Sequence, residues 1–275
     1  MTRIALFQMT SSINPAQNAT AIMDAIAQAA SGGAAMLFTP EMSNLIDRDR
    51  ARAASSIRTE DDDPVLASAR TAAVEHGIWV HLGSLALRGP GGKFLNRAFV
   101  IDPDGAIRAR YDKLHLFDVD LPTGESWRES AAYSAGEGAV VVTTPAGVTG
   151  LSICYDLRFA DLYRVLSNAG ATVLTVPAAF TRPTGEAHWH ILLRARAIES
   201  GAFVIAAAQT GEHEDGRATY GHSLVIDPWG QVLLDMGAPA GVGFADIDLA
   251  RVGEVRGRVP VIAHRRPILT VEVVA

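Results

Sequence analysis

Two hydrophobic periods alternate along the chain. RIALFQM (3–9), AAMLFTP (34–40) and IWVHLGSLAL (78–87) are near-continuous apolar runs of strand length. Between the first two, Asn14-Pro15 opens a stretch of helical spacing that reaches about Ala30 and stops at Ser31-Gly32-Gly33. Before the third, Asp63 suits a helix N-cap, Pro64 the first helical position and Gly77 the residue past the end. The middle of the chain repeats the scheme. VTGLSI (148–153) reads as a strand ending at Cys154, 160–169 as a helix stopped by Gly170, and ATVLTV (171–176) as a strand closed by Pro177. A helix over 186–200 stopped by Gly201 and a strand AFVIAAA (202–208) follow. Strands alternating with helices predict an α/β fold with parallel pairing.

Two segments share a pattern. FVIDPDGAI (99–107) and LVIDPWGQV (224–232) both read as strand, tight turn, strand, with Pro presetting φ and Gly tolerating the positive φ that ends the turn. They are either unrelated hairpins of similar turn chemistry or the matching parts of two related halves, and the second reading is favoured. No linker or low-complexity segment interrupts the sequence, whose length fits one large domain or two small ones.

Composition narrows the classes. Nearly half of the 275 residues are apolar and 20% are charged, as in ordinary globular chains. A net charge of −6 gives no reason to expect nucleic acid. The start, MTRIALFQMTSS, is too short an apolar run for a signal peptide or a membrane span, so a cytoplasmic protein is expected. A single cysteine rules out an internal disulfide and a cysteine-cluster metal site. All but two of the 24 basic residues are arginine. Lys93 sits in a glycine-rich turn, whereas Lys113 sits between apolar residues in YDKLHLF. Arginine bias alone decides nothing, but a compact, titratable ammonium can serve there where a wide guanidinium cannot.

The lone cysteine decides the chemistry to consider. Cys154 lies at the carboxyl end of a buried strand, where ligands bind in open α/β sheets. A thiol nucleophile needs a base or cation nearby. His115, His188, His190 and His222 are available, but no local signature selects one. Serine chemistry fits poorly, because GLSIC lacks the second glycine of a nucleophile elbow and buries Ser152 in the strand. His188 and His190 diverge on a helix and cannot chelate one ion from one face. Three strand-end residues of complementary chemistry remain: Glu41 after LFTP, Lys113 and Cys154.

Together these motifs resemble the carbon–nitrogen hydrolase (nitrilase) superfamily over nearly the whole chain. FTPEMSN is similar to its glutamate motif, YDKLHLFDVDLP to its lysine motif and LSICYDLRFADLY to its nucleophile motif. The resemblance implies a four-layer αββα sandwich and a single domain over 1–275. It implies Glu41 as general base, Lys113 as oxyanion stabiliser together with the backbone N–H of Tyr155, and Cys154 as nucleophile. It also implies a supporting glutamate in ESAAYSAGE, Glu129, with Glu125 close by as the rival. Neither a metal nor an organic cofactor is implied; the partner is a small-molecule amide, with no nucleic acid or membrane. Helices after the nucleophile strand form a twofold interface in the family, which implies a homodimer or a higher homo-oligomer. The β-rich TVEVV near the C-terminus is expected to be a strand, and 260–275 an oligomer-contacting tail.

The branch is read downstream. RATYGHS (217–223) is similar to the form found in deaminated glutathione amidases, while the neighbouring omega-amidases, acting on 2-oxoglutaramate or 2-oxosuccinamate, more often carry Trp before Gly-His-Ser. A non-catalytic protein on the same fold is the third possibility, although all three triad members are present. Arg182, in the loop AFTRPTG, is expected to meet the substrate's carboxylate, with Phe117 and His188 as further substrate contacts. One departure stands out: His190 occupies the place after His-Trp where the family usually has Glu, which would alter pocket charge if that glutamate serves the site.

Overall fold

The computed structural model describes residues 1–120, 124, 126–268 and 270–274. The chain runs through β1 (Thr2–Gln8), α1 (Pro15–Ser31), β2 (Met36–Phe38), α2 (Arg50–Ser56), α3 (Pro64–His76), β3 (Trp79–Arg88), β4 (Phe94–Ile101) and β5 (Ile107–Asp112). A small hairpin of β6 (Asp118–Asp120) and β7 (Ser126–Arg128) follows, then β8 (Val141–Thr144), β9 (Gly147–Gly150), α4 (Ala160–Asn168), β10 (Val173–Thr175), α5 (Arg182–Ser200) and β11 (Phe203–Ala206). The last elements are β12 (Thr210–Glu212), β13 (Ala218–Tyr220), β14 (Leu224–Ile226), β15 (Val232–Asp235), β16 (Gly241–Ile247) and α6 (Ala250–Arg258). Among the described residues no helix is long and apolar enough to cross a membrane.

Two six-stranded sheets carry the fold, ordered β16-β1-β2-β3-β4-β5 and β15-β14-β11-β10-β9-β8. Strand alternation explains how they are covered. Ile4, Leu6, Met36 and Phe38 point into the core shared with Val173, Val204 and Leu224 of the second sheet. Ala5 and Leu37, one residue out of phase, meet Ile22, Ile26 and Ala69 of α1 and α3. The other face of the second sheet is closed by Leu162, Tyr163 and Leu166 of α4 and by Trp189, Leu193 and Ala197 of α5. Helices, sheet, sheet, helices make the four layers expected.

The two sheets have the same plan. β1, β2 and β3 are parallel, as are β9, β10 and β11. Each trio continues into an antiparallel hairpin, β4–β5 or β14–β15, at the VIDPxG repeat. Both turns are built alike. Asp102 accepts the N–H groups of Asp104 and Ala106 (3.0 and 2.9 Å), and Asp227 those of Trp229 and Gln231 (2.9 and 2.8 Å). Gly105 and Gly230 take φ of 74° and 86° at the turn ends. The remaining edge strand of each sheet comes from the other half: β8 pairs with β9, and β16 with β1.

Local signals account for most element ends. Asp63 caps α3 by accepting the Leu66 N–H at 2.9 Å, and Gly77 ends it with φ 62°. Three expectations need correction. α5 starts at Arg182, not 186, because Pro183 suits a first helical turn and Thr181 stands before it. The nucleophile strand leaves its ladder at Gly150, three residues before Ile153. TVEVV forms no strand over residues 270–274; Val271, Val273 and Val274 are 84, 88 and 82% exposed. Its alternation suits a strand, but a strand exists only with a neighbour to pair with, and this segment lies on none of the chain's sheets.

Candidate active site

The candidate residues converge where the two sheets meet. Glu41 follows Pro40 beyond β2, and Lys113 is the first residue after β5, both on the first sheet. Cys154 opens a short 3-10 turn (Cys154–Arg158) beyond β9 of the second sheet. Glu129 opens another such turn after β7. All but Glu129 are almost closed to solvent: Lys113 is 2%, Glu41 4% and Cys154 8% exposed.

Lys113 is held between two carboxylates. Its Nζ donates to Glu41 Oε1 at 2.9 Å and to Glu129 Oε1 and Oε2 at 3.2 and 2.9 Å. Asn96 on β4 spans the same pair, its Nδ2 donating to Glu41 Oε1 at 2.9 Å and to Glu129 Oε1 at 3.2 Å. The Phe117 N–H donates to Glu129 Oε2 at 2.7 Å. The other oxygen of Glu41 accepts the Ala179 N–H at 3.0 Å, from the strand end after β10. Burial pushes the Glu41 carboxyl up, but the Lys113 charge and hydrogen bonds from Lys113, Cys154 and Asn96 outweigh it, so the pKa ends below the usual value. Burial works against the Lys113 ammonium too, yet Glu129 and Glu41 hold its pKa well above normal. The Cys154 thiol is pushed far up, first by burial and then by the Glu41 charge, with Lys113 only partly offsetting them. The resting site therefore holds a carboxylate, an ammonium and a neutral thiol around one cavity.

The thiol's position is fixed by strained backbone and a buried network. Cys154 and Met42, next to Glu41, both take positive φ (49° and 56°), a conformation costing side-chain-bearing residues on the order of 1–3 kcal/mol. The Cys154 N–H donates to Pro177 O at 2.9 Å. Asp156, fully buried, accepts the Tyr111 hydroxyl (2.7 Å) and the Ile153 N–H (2.9 Å) on one oxygen. Its other oxygen bonds the N–H (3.0 Å) and Nδ1 (2.7 Å) of His115. One carboxylate thus ties the cysteine turn to both sides of Lys113. The His115 ring stacks on Phe159 at 3.6 Å, which places it in this framework and not beside the thiol as a base. Sequence reasoning missed Asn96, Asp156 and the Ala179 N–H. The signals were faint: Asn96 is a polar residue inside the apolar strand FLNRAFVI, and Asp156 lies within the cysteine motif itself.

A cavity of about 440 Å³ opens over these groups, lined by Glu41, Lys113, Glu129, Cys154, Tyr155 and Phe117. Its cationic wall is Arg48, Arg50, Arg128, Arg158 and Arg217. Arg182 is not among the lining residues; it sits exposed at the start of α5 beside a separate, smaller depression with Glu186 and Tyr220. The expectation for Arg182 took AFTRPTG as a loop, whereas Arg182 is the first residue of α5. His188 is exposed and touches the cavity only indirectly, its Nδ1 lying 3.3 Å from Arg158. His190 faces away from the cavity: its Nε2 lies 3.1 Å from Asp235, whose other oxygen is 2.9 Å from His222. The departure at His190 therefore leaves the charge of the cavity wall untouched. His190, His222 and Asp235 are also the one group among the described residues with three metal-compatible donors close together, within 4.8 Å. Glu125, the rival to Glu129, lies outside the described residues.

A buried Glu–Lys–Glu bridge beside a thiol, between two matching sheets, defines a class. The chain belongs to the carbon–nitrogen hydrolase family, whose model matches residues 3–257. It is an enzyme that hydrolyses amides. It is similar to the deaminated glutathione amidase of Mus musculus, 42% identical over 272 residues that cover 97% of this chain and 84% of that protein. Among solved structures it is similar to the Caenorhabditis elegans NitFhit protein, with a TM-score of 0.89 and 40% identity. That match covers 96% of this chain and 65% of the longer NitFhit chain. An amidase from Nesterenkonia sp. AN1, caught with acrylamide added at its active site cysteine, matches with a TM-score of 0.78 and 28% identity, covering 94% of this chain and 98% of that one.

Proposed function

We propose that this chain hydrolyses a small anionic ω-amide, deaminated glutathione, through a thioester on Cys154. The observation that carries the reading is Lys113 bridging Glu41 and Glu129 beside a neutral thiol, under a cavity walled by arginines. The resting proton distribution fits the chemistry. Glu41 is ionised and lines the same cavity as the thiol, so it takes the Cys154 proton as the sulfur attacks the amide carbon, and no free thiolate accumulates. The carbonyl π pair moves onto oxygen, where Lys113 and the Tyr155 N–H stabilise it. As the pair returns, the C–N bond breaks and Glu41 delivers its proton to the leaving nitrogen. The Cys154–acyl thioester is then attacked by water, with Glu41 removing a water proton. Collapse of this second tetrahedral species breaks the C–S bond, returns the proton to Cys154 and frees the acid. Asn96, Asp156 and Glu129 position these groups.

The arginine-rich wall and the RATYGHS segment support a substrate bearing carboxylates, and the name of the mouse relative supports deaminated glutathione. The proposal extends to a single domain over 1–275, a homodimer through α4 and α5 with residues 260–275 as a contact tail, and a cytoplasmic location. Exposed Ile191 and Ile198 on α5 and Val165 on α4 supply apolar surface for such a contact. The test is product release from deaminated glutathione, 2-oxoglutaramate, glutamine and asparagine. Highest kcat/KM on deaminated glutathione is expected. Highest kcat/KM on 2-oxoglutaramate would make the chain an omega-amidase, and highest turnover of glutamine would refute the branch.

A further inference from the structure

One side of the cavity carries more positive charge than its own acids neutralise. Trp127, on β7, lies under two guanidinium groups: Arg217, 4.6 Å from its ring centre, and Arg48, 5.3 Å away. The three come from different places, the residue before β13, the hairpin β6–β7 and the loop after β2, yet both guanidinium groups meet the same ring. Neighbouring acids are largely taken. Asp47 is bound by Arg52 at 2.6 Å, and Asp120 by Arg128 at 2.9 Å. Asp215 lies 3.4 Å from Arg217, too far for a good hydrogen bond. Arg48 forms no ion pair among the described residues.

Unused hydrogen-bonding capacity gathers at the same spot. Among the described residues, Trp127 Nε1 and Arg217 Nε are buried donors without a partner, and Asp215 Oδ2 is a buried acceptor without one. Buried polar groups in folded proteins are nearly always paired, so unpaired donors beside a cavity point to something that binds there. Burial holds the Arg217 pKa down, and repulsion by Arg48 adds to this against the pull of Asp215 and Glu41. An anion joining the stack relieves that repulsion and satisfies both donors.

Resting on the functional reading above, we propose that the Arg48–Trp127–Arg217 stack is the subsite for a carboxylate carried by the leaving amine. The assignment of sides follows from the proton path. Glu41 protonates the departing nitrogen, so the amine and its substituents extend on the Glu41 side of the scissile bond. Arg217 lines the same cavity as Glu41, and Arg48 lies in the loop that continues from Glu41. Arg158 belongs instead to the cysteine turn, over the rings of Tyr155 and Phe180. A substrate with carboxylates on both sides of its amide uses both cationic regions; one that loses only ammonia leaves the stack empty. The stack therefore selects for amides whose leaving group is an amino acid or short peptide with a free C-terminus.

The test compares deaminated glutathione with the same compound ending in glycinamide, using the full chain. The wild type is expected to favour the free acid by about 10- to 100-fold in kcat/KM, mostly through KM, the range of one charge-assisted hydrogen bond. Arg217→Gln is expected to reduce that preference to within about threefold, and Arg48→Gln to reduce it part of the way. Each preference is a ratio within one protein, so a change in folded fraction cancels. A wild type indifferent to the terminal carboxylate, or a preference that survives in Arg217→Gln, overturns the subsite while leaving the amidase reading intact. A wild type that hydrolyses 2-oxoglutaramate but neither peptide compound overturns the deaminated glutathione reading and the subsite together.

Discussion

Replacing Glu129 by glutamine removes one negative charge and almost no volume, so it tests what the carboxylate does for Lys113. Its two oxygens accept four hydrogen bonds: Phe117 N–H (2.7 Å) and Lys113 (2.9 Å) on Oε2, Lys113 and Asn96 (both 3.2 Å) on Oε1. A glutamine amide has one acceptor oxygen, and its NH₂ can only donate. Whichever way the amide turns, the NH₂ faces the Lys113 ammonium and a second donor. Two hydrogen bonds to a charged acceptor are lost, each worth about 1.5–3 kcal/mol, and Lys113 keeps one anion in place of two. An ammonium pushed off its position is an oxyanion donor withdrawn, which costs about 10²–10³ in kcat. The expected result for Glu129→Gln is therefore a kcat lower by about 10²–10³-fold, with KM changed less than about threefold and near-ultraviolet circular dichroism retained. Continuous assay of amine release gives the rate, and thiol titration of Cys154 counts intact sites. A Glu129→Gln enzyme with more than a third of wild-type kcat would refute the reasoning, because Lys113 would then be positioned without its second carboxylate.

Other outcomes follow from the same geometry. Lys113→Arg should lose nearly as much rate as Lys113→Ala, about 10²–10³-fold, since a planar fork does not fit between two carboxylates that both touch one nitrogen; steady-state kinetics on both variants check this. Cys154→Ala should abolish turnover and Cys154→Ser nearly so, with the thermal midpoint close to wild type; measurable thioester formation in the alanine variant is impossible, so any retained hydrolysis sinks the mechanism. The kcat/KM profile should be flat from about pH 5 to 9, because the Glu41 carboxyl is held below 4.5, the Lys113 ammonium above 10.5 and the Cys154 thiol above 9.0. By linkage, stability from Glu41 is present above 4.5 and lost as pH falls through its depressed value, while that from Lys113 is present below 10.5 and lost as pH rises through its raised value. A limb near about 6.5 would put a histidine into the reaction. Deleting residues 260–275 should lower both the oligomer mass in light scattering and the thermal midpoint, and a full-length monomer at micromolar concentration contradicts the dimer.

What could be read from sequence was whatever depends on neighbours along the chain. Asp63, Pro64 and Gly77 mark α3 because caps and turns are local. The VIDPxG turns were legible for the same reason, and their equivalence correctly pointed to two matching halves. Cys154 stood out because a strand end is both a local and a topological feature. Features that depend on what arrives from far away were hidden. Asn96 lies 55 residues from Glu41 and 33 from Glu129, and nothing near FLNRAF announces that both will reach it. Arg217 drew no attention as a cavity group, since its neighbours there, Arg48 and Trp127, come from other parts of the chain. Arg182 failed in the opposite sense: a plausible loop residue became the first residue of a helix and was carried out of the cavity. TVEVV had the right alternation and no strand to join.

The edge strands traded between the two sheets have a mechanical consequence. β16, from the end of the second half, runs the length of β1 from Thr2–Ile247 to Gln8–Gly241, while β8, from the end of the first half, borders β9 from Val141–Gly150 to Thr144–Gly147. Each half thus clasps the other, and neither can come loose without stripping a strand from its partner and baring a row of backbone groups. The molecule should melt as a unit, with no stage at which one sheet survives intact beside an unfolded other. The reactive groups depend on that clasp. Glu41 and Lys113 belong to one half and Cys154 to the other, so the grip that keeps the sheets from parting is also what keeps the Glu41 carboxylate and the Cys154 thiol on one cavity.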